Sequence, residues 1–334
     1  MNTKTKIAIN GYGRIGRNLF RLLLNHPTIE VVAINDISDN KTMSHLTKYD
    51  SIHGVLPYNV SYNDNCIIVN NKEYVFSHEK NIENLDWNAL NVDIVIECTG
   101  KYKTYKELYK HITSGAKKVI LSAPSDDDDI KTVVFGINES ILDGSELIIS
   151  NASCTTNNAA PMIQVINNLC GIEQAYITTV HSYTTDQSLH DQPHKDLRRA
   201  RGASQSIVPT TTGAAKALAK IFPEMEGKIG GSGIRVPVPN GSLTDITCYV
   251  KREVSIEEIN LAFKIASEGN LKNILAYTED PIVSVDIIGN QNSCLFDAQL
   301  TSVINKMVKV VGWYDNEIGY SSRIIDLIGF VAVK

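Results

Sequence analysis

The sequence predicts an α/β protein in two parts: a doubly wound, mostly parallel sheet, then an α+β part with a largely antiparallel sheet. Three observations carry this. The chain has 334 residues, more than a single hydrophobic core usually serves, so two domains are expected. Up to about residue 150, short β-branched runs alternate with helical patterns. Beyond it the runs lengthen and follow one another like neighbouring strands of one sheet.

In the first part, "KIAIN" is a strand and Gly13 to Asn25 a helix, with Ile15, Leu19, Leu22 and Leu23 on one face and His26-Pro27 ending it. "IEVVAIND", "VDIVIECTG", "KKVILSA", "TVVFGI" and "ELIIS" read as further strands, with "YKELYKHITSG" as a helix among them. Such alternation implies a parallel sheet with helices on both faces. In the second part, Met162, Val165, Ile166 and Leu169 form a helical stripe ending near Gly171. Pro161 removes a hydrogen bond from a helix begun at Cys154, so its first turns are expected to kink. "QAYITTVHSY" alternates like a strand, and a polar stretch follows from Thr184 to Ser206. Loops that long are usually functional or pressed against another surface. "SLTDITCYVKREV", "IVSVDIIG", "SCLFDAQLTSVI" and "MVKVVGWYD" read as long strands, with Ile256 to Glu268 as a helix between them. Ile318, Ile325, Ile328 and Val331 mark a closing amphipathic helix over about 317–334. The expected domains are 1–152 and 153–316.

The net charge of −5 and the lack of a basic block argue against nucleic acid and anionic membrane as partners. No apolar run approaches the ~18 residues of a membrane span, and "MNTKTKIAIN" turns directly into a strand pattern, so a cytoplasmic protein is expected. The cysteines at 66, 98, 154, 170, 248 and 294 form no Cys-x-x-Cys pair and read as free thiols, five of them small buried hydrophobes. "SDDDD" at 125–129 reads as a solvated turn rather than a cation site. His190 and His194 have ligand-like spacing but no cysteines nearby, and no metal is expected.

Between the first strand and helix stands Gly11-Tyr12-Gly13-Arg14-Ile15-Gly16. Glycines there permit a tight turn and let backbone N–H groups and the helix N-terminus meet a pyrophosphate. Asp36 ends the next strand 20 residues after Gly16, the offset at which a carboxylate holds the adenosine ribose hydroxyls. It also repels a 2′-phosphate, which favours NAD over NADP. The first domain is therefore expected to be of Rossmann type.

"SNASCTTNNAAP" sets Cys154 among small hydroxyl and amide side chains at a strand-to-helix turn. A helix N-terminus and a nearby imidazolium both lower a thiol pKa. Among eight histidines, His181 closes the strand "AYITTVHSY" shortly after the cysteine helix, a place from which it can return to the same sheet edge. Ser153, Thr155, Thr184, "LRRAR", "PTTTGAA" and Arg235 supply hydroxyls and guanidinium forks of the kind that hold phosphate, which suggests a phosphorylated substrate.

Read together, "INGYGRIGRN", "SNASCTTN", "HSYTTDQ", "HKDLRRAR", "PTTTGAAKA", "RVPVPN" and "WYDNEIGYSSR" resemble phosphorylating glyceraldehyde-3-phosphate dehydrogenase from end to end. The resemblance implies that Cys154 is the nucleophile and His181 its base. It implies that Thr184 and Arg235 hold the phosphate of glyceraldehyde 3-phosphate, while Ser153, Thr155, Arg199, Thr212 and Gly213 surround inorganic phosphate. Arg14, Ile15, Asp36, Lys80, Thr99, Ser122, Thr185 and Asn316 match positions that line an NAD site. A homotetramer is implied, with the polar loop at a subunit interface and the last helix packed on the nucleotide domain.

Three positions depart from the family pattern. Asn158 replaces a cysteine often found four residues after the nucleophile, which removes an intramolecular disulfide. Gln192 stands where leucine is common, and Lys80 replaces a frequent arginine. Two rival readings stand beside this one. Erythrose-4-phosphate dehydrogenase shares the fold and the Cys/His pair but resembles "HSYTTDQ", "PTTTGAA" and "WYDNEIGY" less. A nucleotide-binding regulator without turnover would need a disabled thiol.

Overall fold

The structure, a computed structural model, describes residues 4–125 and 127–333. Asp126 of the "SDDDD" run lies outside the described residues, as do residues 1–3 and 334 of the expected domains. Two compact units are formed: one draws on Met1–Val133, Ser140–Ala152 and Ser321–Lys334, the other on Val134–Glu139 and Ser153–Tyr320.

The sheet of the first unit runs Lys131–Thr132, Ile148–Ser150, Lys118–Leu121, Ile94–Glu97, Thr5–Asn10, Ile29–Asn35, Lys72–Ser77, Cys66–Val69, Val60–Tyr62. The pairings from the first of these to Lys72–Ser77 are parallel; the last two strands join antiparallel at one edge. Ile7, Ile9, Ile34 and Ile96 are fully buried, as expected of parallel strands covered on both faces. The helix predicted over Gly13 to Asn25 is Arg14–Leu23. The antiparallel edge was not legible as strands, yet its turn has a local cause. Asn70 and Asn71 take φ of +49° and +64°, the left-handed pair of a two-residue hairpin, which asparagine tolerates better than most residues.

In the second unit the order is Val208–Thr210, Ile229–Val236, Ile172–Ser182, Ser242–Val250, Met307–Tyr314, Cys294–Asp297, Leu275–Thr278, with Ser302–Ile304 also on Met307–Tyr314. The pairs Ile172–Ser182 with Ile229–Val236 and Leu275–Thr278 with Cys294–Asp297 are parallel, and the others antiparallel. The helix Cys154–Cys170 packs on this sheet. Gly312 lets it come close: a Cβ there would sit 2.8 Å from the Met162 sulfur.

Some expected elements take other forms. "IVSVDIIG" contains the 3-10 turn Ser284–Ile287 rather than a strand, because the Asp286 carboxylate accepts the Val283 N–H and closes a local turn. "SCLFDAQLTSVI" is two strands divided by the 3-10 turn Ala298–Leu300, where Asp297 accepts from the Gln299 N–H. Of "TVVFGI" only Thr132 is in a strand; Val134 donates to Asn138 Oδ1 and Gly136 has φ +87°, which turns the chain. The helix Cys154–Cys170 continues through Pro161. Cys98 is partly exposed, unlike Cys66, Cys170, Cys248 and Cys294, and all six cysteines are free. Among the described residues no helix is long and apolar enough to cross a membrane.

The first helix rests directly on the glycine turn before it. A Cβ on Gly16 would stand 2.2 Å from the Gly11 carbonyl oxygen, too close for any rotamer to relieve. Gly16→Ala is expected to destabilise the protein by about 1–3 kcal/mol through forced backbone movement. A urea denaturation midpoint equal to wild type would contradict this packing.

Candidate active site

Two sets of groups concentrate chemistry, one in each unit. In the first, Thr5–Asn10 ends and Arg14–Leu23 begins across Gly11 and Gly13. Gly11 has φ +94°, and a Cβ there would meet the Thr99 nitrogen at 2.5 Å, so only glycine fits. Around Gly13, by contrast, an added Cβ would meet nothing within 4 Å, and no side chain caps the helix it begins. A cleft of about 380 Å³ lies here, lined by Gly11, Gly13, Asp36, Lys80, Thr99 and others. Asp36 closes its strand with one carboxylate oxygen on the Tyr12 N–H at 2.7 Å and the other on the Ser38 N–H at 2.9 Å. An open glycine turn, an uncapped helix start and a carboxylate at the strand end fit a pyrophosphate and a ribose diol, the two parts of NAD that such a site must hold.

The other expected cofactor residues lie in the first turn of that helix, at the end of a neighbouring strand and in the second unit. Arg14 turns to Asp50, with N···O distances of 2.6 and 3.1 Å. Burial raises the Asp50 pKa, but Arg14 and the N–H groups of His53 and Ile52 outweigh it and hold the carboxyl at about 2. Arg14, Ile15, Gly16 and Ser122 are not among the residues that line the cleft; Ser122 faces the Cys98 thiol, which burial pushes up to about 12. Thr185 and Asn316 belong to the second unit. There Thr185 is exposed, and the Asn316 side-chain oxygen accepts from the Ser182 and Ser242 hydroxyls at 2.8 and 2.9 Å.

In the second unit, Ser153 caps the cysteine helix, its hydroxyl accepting the Thr156 N–H at 3.1 Å, and Cys154 is the first helical residue. The preceding Ala152 has φ +55°, a conformation that costs a non-glycine residue about 1–3 kcal/mol and marks a tight turn into the helix. His181 is next to last in Ile172–Ser182, and its Nε2 is 3.4 Å from the Cys154 sulfur. Its Nδ1 stands between an acceptor, the Ser182 carbonyl oxygen at 2.7 Å, and a donor, the Arg235 guanidinium at 3.1 Å. Nε2 is the ring nitrogen that faces the thiol, where a base would stand.

Charge separation between the two works against burial. Burial, followed by the nearby Arg235 guanidinium, lowers His181 to about 3. Burial raises the Cys154 thiol, opposed by Arg235 and by the Thr155 N–H and hydroxyl. Burial thus opposes the ion pair in both groups, while Arg235 favours the thiolate and opposes the imidazolium. One proton passing from sulfur to Nε2 makes the nucleophile.

Arg235 is the register partner of His181 on the adjacent parallel strand Ile229–Val236. Its guanidinium donates to the Ser182 carbonyl at 3.0 Å and to the Thr184 hydroxyl at 3.2 Å, so Arg235 and Thr184 meet as expected. Arg199 lies close enough to lower the Arg235 pKa, after burial. It is held by Asp186 at 2.7 Å and by the Thr210 hydroxyl at 3.0 Å, and Thr210 donates to Asp196 at 2.6 Å. Gly213 begins the helix Ala214–Ile221 without a side-chain cap, and the Thr212 hydroxyl accepts the Ala214 N–H. Two cations, a hydroxyl and a helix start can receive anions. Ser153 and Thr155 are less free than expected, since the first is spent on the cap and the second bonds the Tyr314 hydroxyl at 2.9 Å. His194 bonds Asp186 at 3.3 Å, and no cluster of metal-ligating side chains occurs among the described residues.

Tyr314 is the residue that sequence reasoning missed. Fully buried, it joins Thr155 to Thr179 by hydroxyl contacts of 2.9 and 3.0 Å and meets the His181 ring edge-on at 6.0 Å. Alternation was the available signal, because Thr179 and His181 share one face of their strand. Asp186 and Thr210 were passed over for want of any local pattern.

Residues 5–105 match the family model described as glyceraldehyde 3-phosphate dehydrogenase, NAD binding domain, and residues 153–316 match its C-terminal domain. The chain is similar to glyceraldehyde-3-phosphate dehydrogenase of Geobacillus stearothermophilus, with 53% identity over 331 residues and 98% of each chain covered. It is 50% identical over 331 residues to glyceraldehyde-3-phosphate dehydrogenase 1 of Bacillus subtilis (strain 168), again over 98% of each. With glyceraldehyde-3-phosphate dehydrogenase 2 of Streptomyces avermitilis it shares 52% over 329 residues and the same coverage.

Because the Arg235 charge favours thiolate and disfavours imidazolium, removing it moves both groups upward. In Arg235→Gln, iodoacetamide alkylation of Cys154 is expected to rise at higher pH than in wild type. An unmoved or downward-shifted alkylation profile would contradict the electrostatic assignment.

Proposed function

The chain belongs to the glyceraldehyde-3-phosphate dehydrogenase family, and from that membership we propose that it oxidises glyceraldehyde 3-phosphate with NAD⁺ and inorganic phosphate to 1,3-bisphosphoglycerate. The observation that carries the mechanism is the 3.4 Å approach of His181 Nε2 to the Cys154 sulfur. His181 takes the thiol proton as sulfur attacks the aldehyde carbon and returns it to the carbonyl oxygen, which gives a thiohemiacetal on Cys154. The Cys154 N–H, at the start of a helix, and His181 stabilise the charge that develops on oxygen. NAD⁺, when bound, would supply the acceptor for the hydride that the thiohemiacetal carbon loses, while His181 takes the hydroxyl proton and a thioester is left on Cys154. Inorganic phosphate then attacks the thioester carbonyl and the thiolate departs, ready for the next aldehyde.

The residue roles divide along the geometry described above. Arg235 and Thr184, in mutual contact at 3.2 Å, bind the substrate phosphate. Arg199, Thr212 and the Gly213 helix start hold inorganic phosphate, with Ser153 and Thr155 shaping its approach. Gly11, Gly13, Gly16, Asp36, Lys80, Thr99 and Ser122 hold NAD together with Arg14 and Ile15 at the helix start, and Asp36 disfavours NADP. Residues 1–152 thus form the nucleotide domain and 153–316 the catalytic domain, with the last helix on the former. A homotetramer accords with the exposed Leu189, Leu197 and Ile207 in and beside the polar loop. The free cysteines suit a reducing, cytoplasmic setting.

Cys154→Ser tests the assignment. Because a serine hydroxyl is a poor nucleophile at neutral pH, NADH formation from glyceraldehyde 3-phosphate should fall by about 10⁴-fold or more. NAD⁺ binding, measured by calorimetry, should survive. Appreciable turnover in the variant would remove Cys154 from the mechanism.

A further inference from the structure

Glu97 and His111 are fully buried and belong to none of the roles assigned above. Glu97 ends the strand Ile94–Glu97 beside the cleft. One of its carboxylate oxygens accepts the Thr99 N–H at 2.7 Å and also the Thr99 hydroxyl. The other accepts the Asn10 amide at 2.6 Å and lies 3.2 Å from His111 Nε2. The Trp87 indole N–H donates to His111 Nδ1 at 3.0 Å, which puts the ring proton on Nε2 and makes it a donor to Glu97. All four acceptor positions of a carboxylate are then filled, so no uncharged isostere can replace it without setting one donor against another.

The consequences cross the sheet. With its NH₂ fixed on Glu97, Asn10 turns its oxygen to accept the Asn35 amide at 2.8 Å. Asn35 in turn accepts the Ser77 hydroxyl at 2.9 Å and the Glu79 N–H at 2.8 Å, and donates to the Glu79 carbonyl at 2.9 Å. One buried carboxylate thus sets the direction of the side-chain hydrogen bonds that link the ends of four parallel strands. Each of those ends delivers a part of the cleft: Asn10 leads into Gly11 and Gly13, Asn35 into Asp36, Ser77 into Lys80, and Glu97 into Thr99.

We propose that Glu97, oriented by His111, is a positioning residue for the dinucleotide site. It holds the glycine turn, Asp36, Lys80 and Thr99 at the separations that NAD requires, through the Asn10–Asn35–Ser77 ladder. The inference rests on NAD as the ligand of this cleft.

Calorimetric titration of the full chain with NAD⁺ tests it, using wild type, Glu97→Gln, Ser77→Ala and the swapped pair Asn10→Asp/Glu97→Gln. Losing a bond to a charged group, Glu97→Gln should bind NAD⁺ about tenfold or more weakly. Ser77→Ala removes the far rung from a side chain that does not line the cleft, and should cost about threefold. It keeps the test decisive should Glu97→Gln not fold. The swapped pair, which exchanges carboxylate and amide, should bind more tightly than Glu97→Gln alone. KM for NAD⁺ should rise further than kcat falls, while Cys154 alkylation without NAD⁺ keeps its wild-type rate. Affinity within about twofold of wild type in Ser77→Ala or in folded Glu97→Gln overturns the inference. So does alkylation that slows in parallel with binding, which would mean general destabilisation. A wild type that binds no NAD⁺ overturns the cofactor reading itself, and this inference with it.

Discussion

A helix that starts at Cys154 and a strand that ends at His181 must present their side chains to one point, and the second unit is arranged around that demand. Ser153 fixes the start through its cap on the Thr156 N–H, after a left-handed turn at Ala152. The register of Ile172–Ser182 against Ile229–Val236 sets Arg235 beside His181. Behind the pair, Tyr314 ties Thr155 of the helix to Thr179 of the strand, so neither can shift without breaking a buried hydrogen bond. The chemistry follows from a thiol and an imidazole nitrogen 3.4 Å apart, between which a proton has one short path.

The first unit meets a different demand, that of holding a long, charged ligand over the ends of parallel strands. Its answer is buried polarity that is fully paired. Glu97, Asn10 and Asn35 would each be costly in a sheet interior, yet every bond among them points one way. In this unit the polar side chains stand at the strand ends, each directly after an isoleucine inaccessible to water, Ile9, Ile34 or Ile96.

The sequence made much of this legible because the strongest signals are local. The glycine turn, Asp36 at its strand end, the cysteine helix and Ile256–Glu268 depend on neighbours close in the chain, and the structure has them where the periodicity put them. Elements that depend on distant partners were hidden. Ile229–Val236 carries Gly230, Gly231 and Gly233, which erase the alternation of a strand, so Arg235 could be named but not placed beside His181. "IVSVDIIG" has a strand's composition and becomes a turn through Asp286. Arg14 and Thr155 matched a motif, but their side chains are occupied by Asp50 and Tyr314, partners no local pattern could supply. Glu97 drew no notice because a carboxylate inside a strand reads as an exposed position until its four donors are seen.

The central claim is that oxidation leaves an acyl group on Cys154 whose acceptor is phosphate. Mixing the enzyme with glyceraldehyde 3-phosphate and NAD⁺ in phosphate-free buffer, and following NADH by stopped flow, tests this most directly. The account predicts a burst of about one NADH per active site and then a slow phase, with steady turnover returning on addition of phosphate. Full-rate turnover without phosphate would contradict it.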